Sequence, residues 1–352
     1  MELPFSYEKI AAGSSIIGRE EELSLLASAL DQGRRGIAVI GGTGSGKETI
    51  VTEAVEAFLS RKMGCIACTI DLFNVSSLPQ FISLWRDKMR TCADEVNRGA
   101  LLPFEISFED IPDSKIFDLP GIISSEAGRQ MVVYIREFHN LLKLEDDNFR
   151  LEALDRVWSR QKGVTFIFTG SAVNAMRSIF MERKCFYGMS RTLELGPIDR
   201  KTVCEYIRST FLNFGRVIEM EEAMALFEIS GGNIWYVKQL CALCYAMPAG
   251  YVNRRIVNQA RDMLLSVHIP RFRQTMFDLT GNQVNLLQAI VDGVQKFTSA
   301  EIMERYHLNS SAAVSRIKDA LQKKEVICFD SEEGASIIDP LFAYWLKNYY
   351  FL

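Results

Sequence analysis

Apolar and polar positions follow two kinds of pattern along the first half of the chain. Short apolar runs predict strands at 36–40, 65–73, 131–135 and 164–168, and a fifth strand is predicted at 191–195. The strand at 65–73 is mostly apolar and is expected to be buried on both faces. Between these runs, apolar residues recur every three or four positions and predict helices, among them 50–59, 78–96 and 149–162. Strands that alternate with helices predict an α/β domain with a parallel sheet of five strands.

After Pro197 only helical spacing continues, at 199–213, 221–229, 233–246 and 253–266. This predicts a small helical bundle, with a crossing segment around 269–280. Three more helical stretches, at 281–291, 299–306 and 310–323, precede two short strands at 326–330 and 335–338. Three helices and a β-hairpin of this size are typical of a winged helix-turn-helix. The expected domains are therefore 1–196, 197–268 and 269–352.

Composition and charge narrow the functional classes. The 352 residues are 48% hydrophobic and carry a formal net charge of −4, so the chain can form real cores but has no global attraction for nucleic acid or anionic membranes. The first residues, MELPFSYEKI, lack the layout of a signal peptide, and no apolar run approaches the length of a membrane span. We therefore expect a cytoplasmic protein without membrane contacts.

Eight cysteines include two pairs with C-x-x-C spacing, Cys65/Cys68 and Cys241/Cys244. The first pair lies in a predicted strand, so its side chains point to opposite faces, and the second lies far away in a predicted helix. Buried free thiols are the expected state, and no metal site is expected here.

The stretch 36–49, GIAVIGGTGSGKET, carries the clearest chemical signal. Its spacing G-x-x-x-x-G-K falls between a predicted strand and a predicted helix, where backbone N–H groups and the helix dipole converge on phosphate. A glycine turn that only lets strand and helix pack closely is the alternative. The candidate nucleotide-binding residues are Gly41, Gly42, Thr43, Gly44, Ser45, Gly46, Lys47, Glu48 and Thr49.

Two positions depart from the usual pattern of a P-loop ATPase. After Lys47 such a loop has Ser or Thr, whose hydroxyl ligates Mg²⁺, but here Glu48 follows. The strand at 131–135 ends in Arg136-Glu137, where an Asp-Glu pair is expected. Glu137 is thus a candidate catalytic base without its usual metal partner, unless this strand merely ends in two charged residues.

Both departures concern the metal position, which makes Mg²⁺ binding doubtful. We hypothesise that Glu48 and Arg136 form a buried ion pair that occupies or displaces the metal site. Removing one partner of a buried pair costs about 3–5 kcal/mol. Arginine supplies positive charge but cannot orient metal-bound water, so we expect nucleotide binding to persist better than hydrolysis.

Three further features are ambiguous from sequence alone. Ser171, after the fourth strand, is placed either to touch a γ-phosphate or to cap a helix. Arg191 at the fifth strand is either a phosphate ligand, in its own chain or a neighbour's, or a surface arginine. The helix at 310–324 carries Arg316 and Lys318, which could contact DNA. The predicted hairpin tip is acidic, with Asp330, Glu332 and Glu333, which is unfavourable beside phosphates. A protein partner or a purely structural role is therefore the alternative.

The ordered set of short motifs resembles the archaeal-type AAA ATPases, P-loop proteins related to the STAND and origin-initiator ATPases. The set covers nearly the whole chain and comprises GRE at 18–20, the glycine loop, EFHN at 137–140, TGS at 169–171, GGN at 231–233 and DPLF at 339–342.

The resemblance implies an AAA+ core with a helical lid and a C-terminal winged helix. It also implies ATP or ADP bound near Gly18 and Arg19. By position, Lys47 would then hold phosphates, Glu137 would be the catalytic glutamate, Ser171 the sensor and Arg191 an arginine finger. Oligomerisation is compatible with such a family.

Three readings follow. The first is a nucleotide-dependent switch with weak or lost hydrolysis. The second is an active Mg²⁺-dependent ATPase that uses Glu48 as a metal ligand, since carboxylates bind Mg²⁺ well. The third is a DNA-binding regulator in which the core serves only as a scaffold.

Overall fold

The computed structural model describes residues 4–7, 13, 16–62, 64–98, 103–147, 149–330 and 334–352. It divides into two compact units. The sheet unit contains residues 19–41 and 47–195, and the helical unit contains the described residues up to Gly18, the loop segment 42–46 and residues 196–352.

A parallel sheet of five strands forms the centre of the sheet unit, in the order β2-β3-β4-β1-β5. The strands are β1 (Gly36–Ile40), β2 (Ile66–Asp71), β3 (Met131–Arg136), β4 (Val164–Gly170) and β5 (Ser190–Glu194). Each lies within about two residues of its predicted position. The prediction that β2 is buried on both faces is wrong, because it is an edge strand whose buried residues, such as Cys68 and Ile70, alternate with exposed ones.

Six helices accompany these strands in the described part of the sheet unit. They are α1 (Glu20–Asp31), α2 (Lys47–Arg61), α3 (Leu78–Arg98), α4 (Leu119–Ala127), α5 (Leu151–Trp158) and α6 (Val173–Arg177), with 3₁₀ turns at 113–118 and 138–144. Apolar residues of α1 and α2 pack on one face of the sheet. On the other face aromatic rings stack, including Trp85 on Trp158 at 5.3 Å and Trp158 on Phe166 at 4.8 Å between ring centroids. Packing on both faces holds the carboxyl ends of the strands in place, and the candidate site residues follow directly after these ends.

The helical unit begins with α7 (Arg200–Asn213), α8 (Met220–Ser230), α9 (Ile234–Ala246) and α10 (Arg254–Phe277), together with the short parallel pair β6 (Val217–Ile218) and β7 (Tyr251–Val252). The predicted end of the fourth helix near 266 is wrong. The helix runs through Pro270 because His268, Phe272 and Met276 are buried along its second half. That burial outweighs the cost of about 3 kcal/mol for proline inside a helix.

The remaining elements are α11 (Gly281–Val291), α12 (Ala300–Arg305), α13 (Ser311–Lys323), the antiparallel hairpin β8 (Ile327–Asp330) and β9 (Gly334–Ile337), and α14 (Pro340–Trp345). They have the predicted order of a winged helix. The predicted acidic tip of the hairpin includes Glu332 and Glu333, which lie outside the described residues. One continuous apolar core extends from α7 to α14. Among the residues described, no helix combines the length and apolar character needed to cross a membrane.

Candidate nucleotide site

The loop after β1 has the backbone that a phosphate loop requires. Gly44 and Gly46 have φ angles of +74° and +92°, in the left-handed region where glycine is favoured. The amide of Ser45 donates to the carbonyl oxygen of Gly42 at 3.2 Å and closes a turn between them. Since α2 begins directly after this turn, its free N–H groups lie at the end of the loop.

Lys47, the first residue of α2, is 6% exposed, and its Nζ donates to the carbonyl oxygen of Gly41 at 2.6 Å. Burial lowers its pKa from 10.5 to about 8, although the carboxylates of Glu137 and Glu48 act in the opposite direction. The ammonium group is therefore a buried cation at the end of the loop. A cation in this position, beside the N-terminus of a helix, fits a phosphate.

The predicted contact between Glu48 and Arg136 is confirmed, but its burial is not. An Nη of Arg136 lies 2.5 Å from Oε1 of Glu48, and the two side chains remain 31% and 37% exposed, with Arg136 first. The other Nη lies 3.3 Å from Oδ2 of Asp71, the register partner of Arg136 on β2. Burial acts against the charge of Arg136, but the two carboxylates outweigh it and raise its pKa.

This donor set does not fit Mg²⁺. The guanidinium group lies between the carboxylates of Glu48 and Asp71, which a divalent cation would need as ligands. It would also repel that cation. Within the described ranges, no cluster of three or more His, Cys, Asp or Glu side chains is suited to a metal ion.

Glu137 and Ser171, the candidate base and sensor, are in direct contact. The hydroxyl of Ser171 donates to Oε2 of Glu137 at 2.6 Å. Glu137 itself has a φ of +52°, so the chain turns sharply where β3 ends. The same carboxylate oxygen lies 3.6 Å from Nδ1 of His139, whose pKa is lowered mainly by burial. His139 was not singled out from sequence, although it follows Glu137 by two positions.

Arg191 does not join this group within its own chain. The register pairs it with Ile37 near the start of β1, whereas the phosphate loop follows the other end of that strand. Its side chain is exposed. A different arginine lies at the carboxyl end of the sheet: Arg177 of α6 contacts both carboxylate oxygens of Glu194, with distances of 2.5 to 3.1 Å. In the sequence, only the position of Arg177 six residues after Ser171 could have pointed to it.

The candidate residues Gly18 and Arg19 lie where the chain passes from the helical unit to the sheet unit. Gly18, in the helical unit, has a φ of +58°, and a Cβ there would lie 2.6 Å from Cγ2 of Ile198, so only glycine fits. Arg19, in the sheet unit, is 5% exposed and contacts Oε1 of Glu22 at 2.7 Å. Thr49 is half-buried in the first turn of α2, and Thr43 is exposed in the loop.

Comparisons with known proteins support the class of fold that this geometry indicates. Residues 270–348 match the family model described as a probable winged helix domain. A comparison with curated protein sequences gives no significant match.

Among solved structures, the chain is similar to a Walker-type ATPase of Pyrococcus abyssi, with 16% identity, a TM-score of 0.73 and coverage of 97% of this chain and 99% of that one. It is also similar to the ORC2 protein of Aeropyrum pernix in its ADPNP–ADP complexes, at 13% identity and a TM-score of 0.64 over 97% and 95% of the two chains. The ORC1 protein of the same organism, solved in complex with DNA, gives 13% identity and a TM-score of 0.52 over 96% and 94%. The predicted fold is therefore confirmed: an α/β core with a five-stranded parallel sheet, as in these solved structures, followed by helices and a C-terminal winged helix.

Proposed function

We propose that this protein binds ATP or ADP and acts as a nucleotide-dependent switch of the AAA+ and STAND kind, with hydrolysis weak or lost. The proposal also takes residues 1–196 as its nucleotide-binding core, 197–268 as a lid and 269–352 as the winged helix. Support for binding comes from the turn at Gly44–Gly46 and from the buried charge of Lys47. Phosphate oxygens would accept from the loop N–H groups and from Nζ of Lys47.

The observation that carries the loss of hydrolysis is the placement of Arg136 between Glu48 and Asp71. In an active site of this class, Mg²⁺ neutralises the β- and γ-phosphate oxygens. Arg136 cannot do the same work, because its charge is already compensated by two carboxylates. Oε2 of Glu137 already accepts from the hydroxyl of Ser171, 2.6 Å away, so this oxygen is less available as a base for an attacking water.

The test is calorimetric titration of ATP and ADP with Mg²⁺ and with EDTA, together with an assay of phosphate release. We expect binding that changes little with Mg²⁺ and very slow release. The double variant Glu48→Thr with Arg136→Asp restores the usual residue types, and its affinity should become dependent on Mg²⁺. Rapid Mg²⁺-dependent hydrolysis by the wild-type protein would instead support the alternative in which Glu48 is a metal ligand.

DNA binding by the winged helix is less well supported than a role in docking a protein partner or a second copy of the chain. The expectation that Lys318 faces a groove is wrong, because its Nζ lies over the rings of Phe297 and Phe329, at 4.6 and 4.8 Å from their centroids. Nζ of Lys324 donates to the carbonyl oxygen of Asp278 at 2.5 Å. Two of these basic side chains are thus engaged within the protein, while Arg316 and Lys323 stay exposed and could still meet phosphates.

A cytoplasmic location also belongs to this proposal. All eight cysteines are free thiols in the structure, as expected of a protein in a reducing compartment.

A further inference from the structure

Three residues of the helical unit hold the tip of the phosphate loop. The side-chain amide of Asn233 donates to the carbonyl oxygen of Thr43 at 2.9 Å. A Cβ on Gly44 would lie 2.6 Å from Cβ of Trp235, so that side chain lies directly against the loop backbone. On the winged-helix side, a Cβ on Gly42 would lie 3.6 Å from Cγ2 of Ile338. The start of α9 and the connection after β9 therefore both contact the tip.

A cluster of three side chains, here called the latch, lies immediately beside these contacts. It consists of Tyr236 on α9, Arg271 on α10 and Asp339 at the start of α14. The Tyr236 hydroxyl donates to the Asp339 carboxylate, with distances of 3.1 and 3.0 Å to its two oxygens. Nη2 of Arg271 donates to Oδ2 of Asp339 at 2.5 Å and to the Tyr236 oxygen at 3.2 Å. The latch thus joins the helical bundle to the winged helix.

The surroundings of the latch favour a single arrangement. Tyr236 is 3% exposed, and burial raises its pKa, so it stays a neutral hydrogen-bond donor. Oδ1 of Asp339 also accepts from the amides of Leu341 and Phe342 and caps α14. Because this carboxylate both caps α14 and accepts from Tyr236 and Arg271, its release would loosen the start of the helix as well as the junction.

The contacts on the loop and the latch are one residue apart in the sequence. Trp235 precedes Tyr236, and Ile338 precedes Asp339. A displacement of the loop tip is therefore passed to both sides of the latch through adjacent peptide units, and a displacement of the latch is passed back in the same way.

We propose that the latch couples nucleotide binding at the phosphate loop to the docking of the winged helix on the helical bundle. The inference rests on the proposed function as a nucleotide switch. The latched state holds the loop at Gly42–Gly44, including the left-handed backbone of Gly44, so nucleotide binds that state more tightly. By linkage, bound nucleotide must stabilise the latch by the same factor.

The test compares the full-length wild-type chain with Tyr236→Phe and Arg271→Gln. Each variant removes donors to Asp339 and leaves the loop sequence intact. Tyr306→Phe is a matched control, because Tyr306 donates to Asp292 at 2.7 Å in the same unit, and this pair belongs to neither the latch nor the loop contacts. ADP affinity is measured by calorimetry, and amide hydrogen exchange is followed in 42–46 and 339–345.

We expect the two latch variants to bind ADP about three- to tenfold more weakly, as the loss of one hydrogen bond implies. Without nucleotide, exchange in 42–46 should be faster in these variants than in the wild type and in Tyr306→Phe. ADP should slow exchange in 339–345 of the wild type.

If the wild type binds ADP and the latch variants bind it equally or more tightly, the inference is overturned while the proposed function stands. If the wild type binds no nucleotide, the proposed function fails. Coupling between latch and loop is then still decided by exchange in 42–46, and equal rates in all four proteins would exclude it.

Discussion

If nucleotide binds as proposed, we expect the buried charge of Lys47 to make the affinity dependent on pH, in a window set by the pKa of this residue. In the free protein its pKa is lowered to about 8, mainly by burial. A bound phosphate favours the charged ammonium form and raises this pKa again. Above pH 8 the free protein has lost this proton, so binding must take one up, and affinity falls as pH rises.

The size of the effect follows from the same value. At pH 9 about one tenth of the free protein carries a charged Lys47, so the dissociation constant should rise about tenfold relative to pH 7. The free energy of unfolding of the free protein should rise with pH, whereas nucleotide affinity falls. Between pH 8 and 10.5 the unfolded chain binds more protons at this residue than the folded one, so stability rises with pH through that window. Below pH 8 the cost of burying the charge is present in full, about 3 kcal/mol.

Calorimetric titration of ADP in EDTA from pH 7 to 9.5 measures this dependence, and buffers with different ionisation enthalpies report the proton taken up. Lys47→Met is the control: it should bind weakly at every pH, without the slope, and should unfold at a higher temperature than the wild type at pH 7. A wild-type affinity that is constant up to pH 9.5 would refute the reasoning, as would proton release on binding.

Three other predictions concern the remaining parts of the chain. In a double-mutant cycle with Glu48→Gln and Arg136→Gln, thermal unfolding should give a coupling free energy of about 1 kcal/mol, because both side chains are about a third exposed. A coupling near zero would show that this ion pair does not stabilise the protein. Ser171→Ala releases Glu137 from its hydroxyl donor and should raise slow phosphate release about fivefold, the equivalent of one hydrogen bond, whereas a decrease would assign Ser171 a direct role in turnover. Fluorescence anisotropy should detect no binding to duplex DNA at 150 mM salt, about the physiological ionic strength. Measurable binding that weakens steeply as salt is added would show that Arg316 and its neighbours do contact phosphates.

Local pattern was sufficient to predict the sheet and the loop. The central strands β1, β3 and β4 are continuous apolar runs because both of their faces are covered, and the requirement for glycine at Gly44 and Gly46 leaves a direct trace in sequence. The contact between Glu48 and Arg136 was predictable because both positions belong to the same expected metal site. Its exposure was not predictable, since exposure depends on what other elements cover it.

Features that depend on tertiary packing were missed. A local rule ends α10 before Pro270, but buried side chains beyond the proline keep the helix intact. Basic residues on α13 indicate DNA contacts until Lys318 is found between two aromatic rings. The contact of Asn233 with the loop joins residues 190 positions apart and leaves no periodic signal in a single sequence.

The charges around the phosphate loop favour a protein that binds nucleotide as a switch over one that hydrolyses it repeatedly. A metal-dependent site changes its charge by two units when the ion arrives with the nucleotide and departs with the product. Here the corresponding cation is Arg136, which is covalently part of the chain and always protonated. Its charge is compensated within the protein by Glu48 and Asp71. In the proposed switch the nucleotide is sensed by Lys47 and the loop backbone, and the loop is the part that Asn233, Trp235 and Ile338 contact. Under this proposal, binding is transmitted to the winged helix without the phosphate bond being broken.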